Sequence, residues 1–169
     1  MEMTLVSSKF FNQASELVEL CKSNSKRLTT IESCTGGLLS ALLTSVPGSS
    51  KVFDCGFVTY SNEAKNKLVQ VPLNKIDEFG AVSDEVAIAM ANGGLCQSNA
   101  DIAVSITGVA GPGGGTIQKP VGLVHFGIAT SWSYAKSGHV IFSGTRDQIR
   151  DQSVRHALQL VFDEAVDAP

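Results

Sequence analysis

The chain has 169 residues, enough for one domain with a substantial core and short for two. Hydrophobic residues make up 43% and charged residues 17%, with a formal net charge of -3. That balance excludes a disordered polyelectrolyte and gives no footing for a polyanionic partner such as nucleic acid.

Cys21, Cys34, Cys55 and Cys96 lack CxxC spacing, and His125, His139 and His156 form no finger pattern with them. The thiols therefore read as free, in a reducing compartment, and neither a metal nor another cofactor is expected. The opening MEMTLVSSKFF is not followed by an apolar run with a small-residue cleavage site. Nor does the chain contain an apolar stretch long enough to span a bilayer. The expectation is a cytoplasmic protein with no membrane partner.

Phe10, Phe11, Ala14, Leu17, Val18 and Cys21 recur at helical spacing behind Ser7 or Ser8 as a cap, which predicts a first helix of about 15 residues. LTTIE (28–32) is a β-branched run and reads as a strand. Gly36-Gly37 then leads into a helix through LLSALLTSV, which Val46-Pro47-Gly48-Ser49-Ser50 terminates. KVFDCGFVTYS (51–61) reads as a second strand, with Asn62 capping a short helix through NEAKNKLVQ. Ser83 caps another helix whose first turn holds Asp84 and Glu85, favourable against the helix dipole.

DIAVSIT (101–107) is almost continuously apolar, as befits a strand buried on both faces, and Gly108 to Gly115 must be a loop. VGLVHFGIAT (121–130) and HVIFSG (139–144) read as an antiparallel pair flanking SWSYAKSG, with apolar surface near Trp132 suited to self-association as a homo-oligomer. A last helix begins near Asp147 and buries Val154, Ala157, Leu158, Val161 and Phe162. Five strands among four or five helices, without repeat or linker, imply a single α/β domain: a three-layer α/β/α sandwich with a mixed five-stranded sheet.

Ligands in such sheets bind beyond the carboxyl ends of strands. Three segments fall there: Glu32 to Gly37, Tyr60 to Lys65, and Thr107 to Gly115. Ser33 precedes Gly36-Gly37 at a helix start, whose unpaired N–H groups could hold an oxyanion if this serine attacked a carbonyl. The commoner role for such a serine, or for Thr35, is a helix cap. Cys34 is a rival nucleophile, although small buried cysteines are more frequent than activated ones. Lys65 is the available base if burial and the helix dipole hold its amine neutral; otherwise it is solvated, as Lys67 should be. Tyr60 can hydrogen-bond the serine or a substrate, or sit as a half-buried strand-end aromatic. The histidines lie on late strands and a helix, so no Ser-His-Asp arrangement is expected.

The run Gly108 to Gly115 permits close backbone approach to an anion, Gly113 and Gly114 included, but it is neither a P-loop nor a dinucleotide fingerprint. Arg146 and Arg150 share one helix face, where they can either grip a phosphate or interleave with Asp147 and Asp151 in solvent.

Five blocks occur in order: Glu32-Ser33-Cys34-Thr35-Gly36-Gly37; Gly56 followed by Val58 to Lys65; Gly80-Ala81-Val82-Ser83; Ile106 to Gly114; and Lys119-Pro120-Val121-Gly122. Together they resemble the CinA C-terminal domain family, the nicotinamide-nucleotide amidohydrolases, over nearly the whole chain. The resemblance implies hydrolysis of nicotinamide mononucleotide, a small-molecule partner, to nicotinate mononucleotide and ammonia without a cofactor. It carries the nucleophile onto Ser33, the general base onto Lys65 and active-site positions onto Tyr60 and Thr107. Thr35, Gly36, Gly37, Gly108, Gly113, Gly114, Arg146 and Arg150 are the accompanying candidates for binding substrate. Thr145 stands where the family commonly has aspartate, and Ile31 where it has a small residue. Long members carry a further N-terminal domain linked to competence, which is not carried over. A non-catalytic nucleotide sensor using the same cleft is the alternative expectation.

Overall fold

The computed structural model describes residues 10–169. Its elements follow in chain order: α1 (Phe11–Ser23), β1 (Leu28–Glu32), α2 (Leu38–Thr44), β2 (Phe53–Val58), α3 (Asn62–Val69), α4 (Leu73–Phe79), α5 (Asp84–Cys96), β3 (Ile102–Gly108), β4 (Leu123–Thr130), β5 (Ser133–Ile141) and α6 (Arg146–Val166). The five strands form one sheet in the order β2-β1-β3-β4-β5. β1 lies parallel to both β2 and β3, whereas β3–β4 and β4–β5 are antiparallel, so the sheet is mixed as expected.

Strand alternation sorts the central residues onto two faces. Ile102, Val104 and Ile106 of β3 and Val124, Phe126 and Ile128 of β4 pack with α1, α2 and α6. Ile31 of β1, Ala103 of β3 and Ala129 of β4 face the opposite layer of α3, α4 and α5. Both faces are thus covered, and β1, β3 and β4 are buried almost throughout. In α6, Val154, Ala157, Leu158, Val161 and Ala165 repeat at three- and four-residue intervals and are buried, which seats the helix along the first face. Each large aliphatic side chain so buried contributes about 1.5–3 kcal/mol.

Several local expectations are corrected. The proposed Ser7 or Ser8 cap lies outside the described residues. Ser61, not Asn62, caps α3, its hydroxyl accepting from the Ala64 N–H at 3.0 Å. Ser83 caps α5 as read from the sequence. α4 was missed because it follows Pro72 without a side-chain cap and buries only Ile76, leaving no periodic signal. β5 runs unbroken from Ser133 where a loop was expected; as an edge strand it faces solvent and carries polar residues. The last helix starts at Arg146, one residue earlier than expected, behind a capping box between Thr145 and Gln148. Thr145 thus fills the cap where aspartate is common. Trp132 is partly buried against the core, with Lys26 Nζ 4.8 Å from its ring centroid. Tyr134 and Ile141 are the exposed large apolar side chains of β5. Among the described residues, no helix is long and apolar enough to cross a membrane.

α5 approaches the sheet closely because Gly127 has no side chain. A Cβ there would meet the Ala87 carbonyl oxygen at 2.3 Å, and Ser105 Oγ bridges the same carbonyl to the Gly127 N–H. Gly127→Ala should therefore destabilise the fold by about 1–3 kcal/mol, read as a lower midpoint in chemical denaturation with unchanged slope.

Candidate active site

The carboxyl ends of the parallel strands β2, β1 and β3 deliver Thr59, Ser33 and Gly108 to one end of the sheet. Ser33 follows β1 directly and its N–H donates to the Ile106 carbonyl at 2.9 Å, which fixes the residue against β3. A tight turn then closes through the Gly36 N–H and the Ser33 carbonyl. Gly36 and Gly37 both have positive φ, 60° and 96°, which lets the chain reverse and enter α2 within two residues.

Glu32 governs this turn. Its carboxylate is fully buried and accepts from the N–H groups of Gly37, Leu39 and Ser40 and from the Ser40 hydroxyl, at 2.7–3.1 Å. A charged acceptor on a helix start satisfies its orphan donors and opposes its dipole. The α2 donors that were expected to face an oxyanion are therefore already occupied, and the Leu38 N–H points to the Thr35 carbonyl. Among the described residues, the N–H groups of Cys34 and Thr35 have no acceptor. Gly36 and Gly37 thus shape the loop, while the free amides lie one and two residues after Ser33.

Lys65 projects from α3 and is 1% exposed. Its Nζ lies 3.1 Å from Ser33 Oγ and donates to the Thr59 carbonyl at 2.9 Å. No carboxylate contacts it among the described residues. Burial pulls its pKa below the ordinary lysine value. Lys67, as expected, is exposed. Cys34 itself is buried, and desolvation pushes its thiol up to about 11, so it stays protonated near neutrality.

Arg146 and Arg150 turn towards these loops rather than into solvent. Arg146 donates to the Gly111 carbonyl at 2.7 Å and to the Tyr60 hydroxyl at 3.2 Å. Arg150 donates to the Thr35 carbonyl at 3.0 Å and holds Asp147 only loosely, at 3.9 Å. Tyr60 is exposed and its hydroxyl meets Arg146, not Ser33. Three buried polar atoms around this end of the sheet, Thr35 Oγ1, Thr59 Oγ1 and Arg150 Nε, have no partner among the described residues.

The remaining candidates have other occupations. The Thr107 hydroxyl donates to the Ala81 carbonyl at 2.8 Å and fastens the segment before α5. Gly108 is small because a Cβ would strike the Leu123 carbonyl at 2.7 Å. Gly113 and Gly114 line an open groove with Pro112, Ile117 and Val121, and the hydrogen bonds of Lys65 go to Ser33 and Thr59 rather than to them. Glu32, the organiser of the turn, was not singled out as a site residue. Its signal was a carboxylate at the buried end of a β-branched strand, where an acidic side chain needs several donors.

Comparison with known proteins agrees with this architecture. The CinA C-terminal domain matches residues 11–165. The chain is 47% identical over 151 residues to a putative competence-damage inducible protein of Caldicellulosiruptor bescii, covering 89% of this chain and 36% of that protein. It therefore spans about a third of that longer relative. It is 41% identical over 160 residues to the nicotinamide-nucleotide amidohydrolase PncC of Escherichia coli K12, covering 95% of this chain and 97% of that one. Among solved structures, the competence/damage inducible protein CihA from Agrobacterium tumefaciens superposes with a TM-score of 0.91 at 39% identity, over 95% of this chain and 98% of the other. With nearly its whole length matched in sequence and in fold, the chain belongs to the CinA C-terminal domain family.

Proposed function

We propose that this protein is an amidohydrolase that converts nicotinamide mononucleotide to nicotinate mononucleotide and ammonia, with Ser33 as nucleophile and Lys65 as base. The observation that carries the reading is the 3.1 Å approach of Ser33 Oγ to an amine buried without a carboxylate partner. The similarity to the E. coli amidohydrolase, which covers almost all of both chains, supports the substrate.

The amine donates one hydrogen to the Thr59 carbonyl, which leaves its lone pair free for the serine proton when uncharged. Ser33 Oγ attacks the carboxamide carbon, and the proton passes to Lys65. The tetrahedral oxyanion is held by the unpaired N–H groups of Cys34 and Thr35. Collapse breaks the C–N bond as Lys65 returns its proton to nitrogen, releasing ammonia and leaving an acyl ester on Ser33. Lys65 then deprotonates water, which attacks the ester, and Ser33 recovers its proton as the acid departs. Arg146 and Arg150 hold the 5′-phosphate with their remaining donors, Arg150 Nε among them, so that binding remote from the amide orients it.

Ammonia release from nicotinamide mononucleotide by the purified chain tests the reading. Binding without release would instead identify a nucleotide sensor. Ser33→Ala should lower kcat by at least about 1,000-fold while the nucleotide still binds; normal turnover in this variant would remove Ser33 from the chemistry.

Lys65→Met should also lose turnover yet raise the unfolding free energy by about 1 kcal/mol or more, because an apolar side chain replaces a desolvated amine. The sign follows from a folded-state pKa depressed below the unfolded one. Between those two values the unfolded chain binds more protons, so wild-type stability rises with pH. The advantage of the methionine variant is greatest below the folded-state value and disappears above the ordinary lysine value. The rate of the wild-type enzyme should rise with pH as Lys65 loses its proton.

Arg146→Ala and Arg150→Ala should each raise KM about tenfold or more with a smaller change in kcat. With nicotinamide riboside, which lacks the phosphate, the Arg146 effect should vanish; an equal effect on both substrates would refute phosphate recognition by that residue.

A further inference from the structure

On the α5 face of the sheet, three side chains from three elements converge outside the proposed chemistry. Asp84 begins α5 directly after the Ser83 cap, His125 lies on β4 and His139 on β5. The two histidines are directly opposite one another in the antiparallel ladder, and their ring centroids are 4.9 Å apart. Asp84 presents one carboxylate oxygen to each ring, Oδ1 at 2.8 Å from His125 Nδ1 and Oδ2 at 3.8 Å from His139 Nδ1. All three offer a ligand atom within 4.8 Å of the others. We propose that Asp84, His125 and His139 form a binding site for a divalent transition-metal ion of the zinc class.

The donor set fits such an ion better than it fits a lone ion pair. Two imidazoles and one carboxylate suit Zn2+, Co2+ or Ni2+, whereas Mg2+ and Ca2+ favour all-oxygen shells. Ligand atoms around a tetrahedral zinc lie about 3.3 Å apart, given metal–ligand bonds of about 2.0–2.1 Å. The separations here are 2.8 and 3.8 Å, through the two different Asp84 oxygens, and all three ligand atoms lie within 4.8 Å, so the cluster must draw in slightly to hold an ion. Asp84 and His139 have side chains that are 41% and 55% exposed, which leaves them room to adjust, while His125 is held at 11%. Cross-strand pairing supplies the two nitrogens already on one face, and the exposed flank leaves room for water to complete the shell.

The placement gives the ion a structural consequence. His125 lies opposite Thr107 on β3, and Thr107 holds the Ala81 carbonyl three residues ahead of Asp84. An ion at the cluster would tie the start of α5 to β4 and β5, about two strand spacings, or roughly 10 Å, from β1. It would brace the wall of the cleft without entering the chemistry of Ser33.

The test uses the tag-free, metal-stripped chain and does not depend on turnover. Isothermal titration with ZnCl2 should give one equivalent bound, and saturation should raise Tm by about 5 °C, the order expected for ligand well above its Kd. MgCl2 should do neither. His139→Gln, on an exposed strand, should fold normally, weaken Zn2+ binding about tenfold or more and abolish the Tm shift, with Asp84→Asn behaving alike. Co2+ should show ligand-field bands without thiolate charge transfer, which separates this site from the exposed Cys96 thiol. Substoichiometric binding, unchanged affinity in His139→Gln, or a thiolate band from the bound ion would overturn the proposal, leaving a simple aspartate–histidine contact.

Discussion

An amine enclosed by protein without an opposing charge is the arrangement on which the rest of this site depends. Water would solvate an ammonium far better than the interior around Lys65 does, so the fold shifts that group towards its uncharged form. Keeping it there requires a rigid surround. α3 is only eight residues long, but Ser61 caps it, and the β1–β2 pairing aligns the Thr59 carbonyl that orients the amine. The Thr59 N–H in turn donates to the Glu32 carbonyl, so the two loops carrying Ser33 and Lys65 are stitched together by backbone. A carboxylate in the same cavity would stabilise the ammonium and remove the free lone pair. The nearest acidic residue in sequence to Ser33, Glu32, points to the other face of the sheet and is fully occupied with α2.

Much of the fold was legible because burial leaves periodic marks. The all-apolar stretch at β3, the β-branched β1 and the spaced aliphatics of α1 and α6 each announced their class. Elements facing solvent left no such trace: β5 reads as a polar loop and α4 offers one buried isoleucine. The site was legible at the level of loops, since the Ser33, Tyr60 and Thr107 segments do meet at one sheet end. Its finer geometry was not. Sequence spacing could not reveal that Glu32 takes the α2 donors, that Tyr60 meets Arg146, or that Thr107 fastens Ala81. The cluster of Asp84, His125 and His139 was equally hidden, because its members are separated by many residues and meet only through strand register and helix placement.

The two arginines show how charge pattern alone misleads. Alternating acids and bases at the start of α6 suggest a solvated face, yet the capping box at Thr145 fixes the helix entry so that both guanidinium groups reach across to the loops. Asp147 stays largely in solvent, with only a loose hold on Arg150. Backbone carbonyls of Gly111 and Thr35 then act as pre-set rests for the guanidiniums. A phosphate docking there as proposed would meet donors whose directions are already restricted, and less rotamer freedom would be lost.

Glu32 has one more effect, on how the reaction ends. The proposed chemistry begins with a neutral carboxamide and finishes with an anion lodged beside the serine turn. A bare helix start would grip such an anion and slow its departure. Here an internal negative group already sits on that terminus, so the local field gives the newborn carboxylate little reason to linger. The same side chain that shapes the turn for attack would thereby also favour the escape of an acidic product.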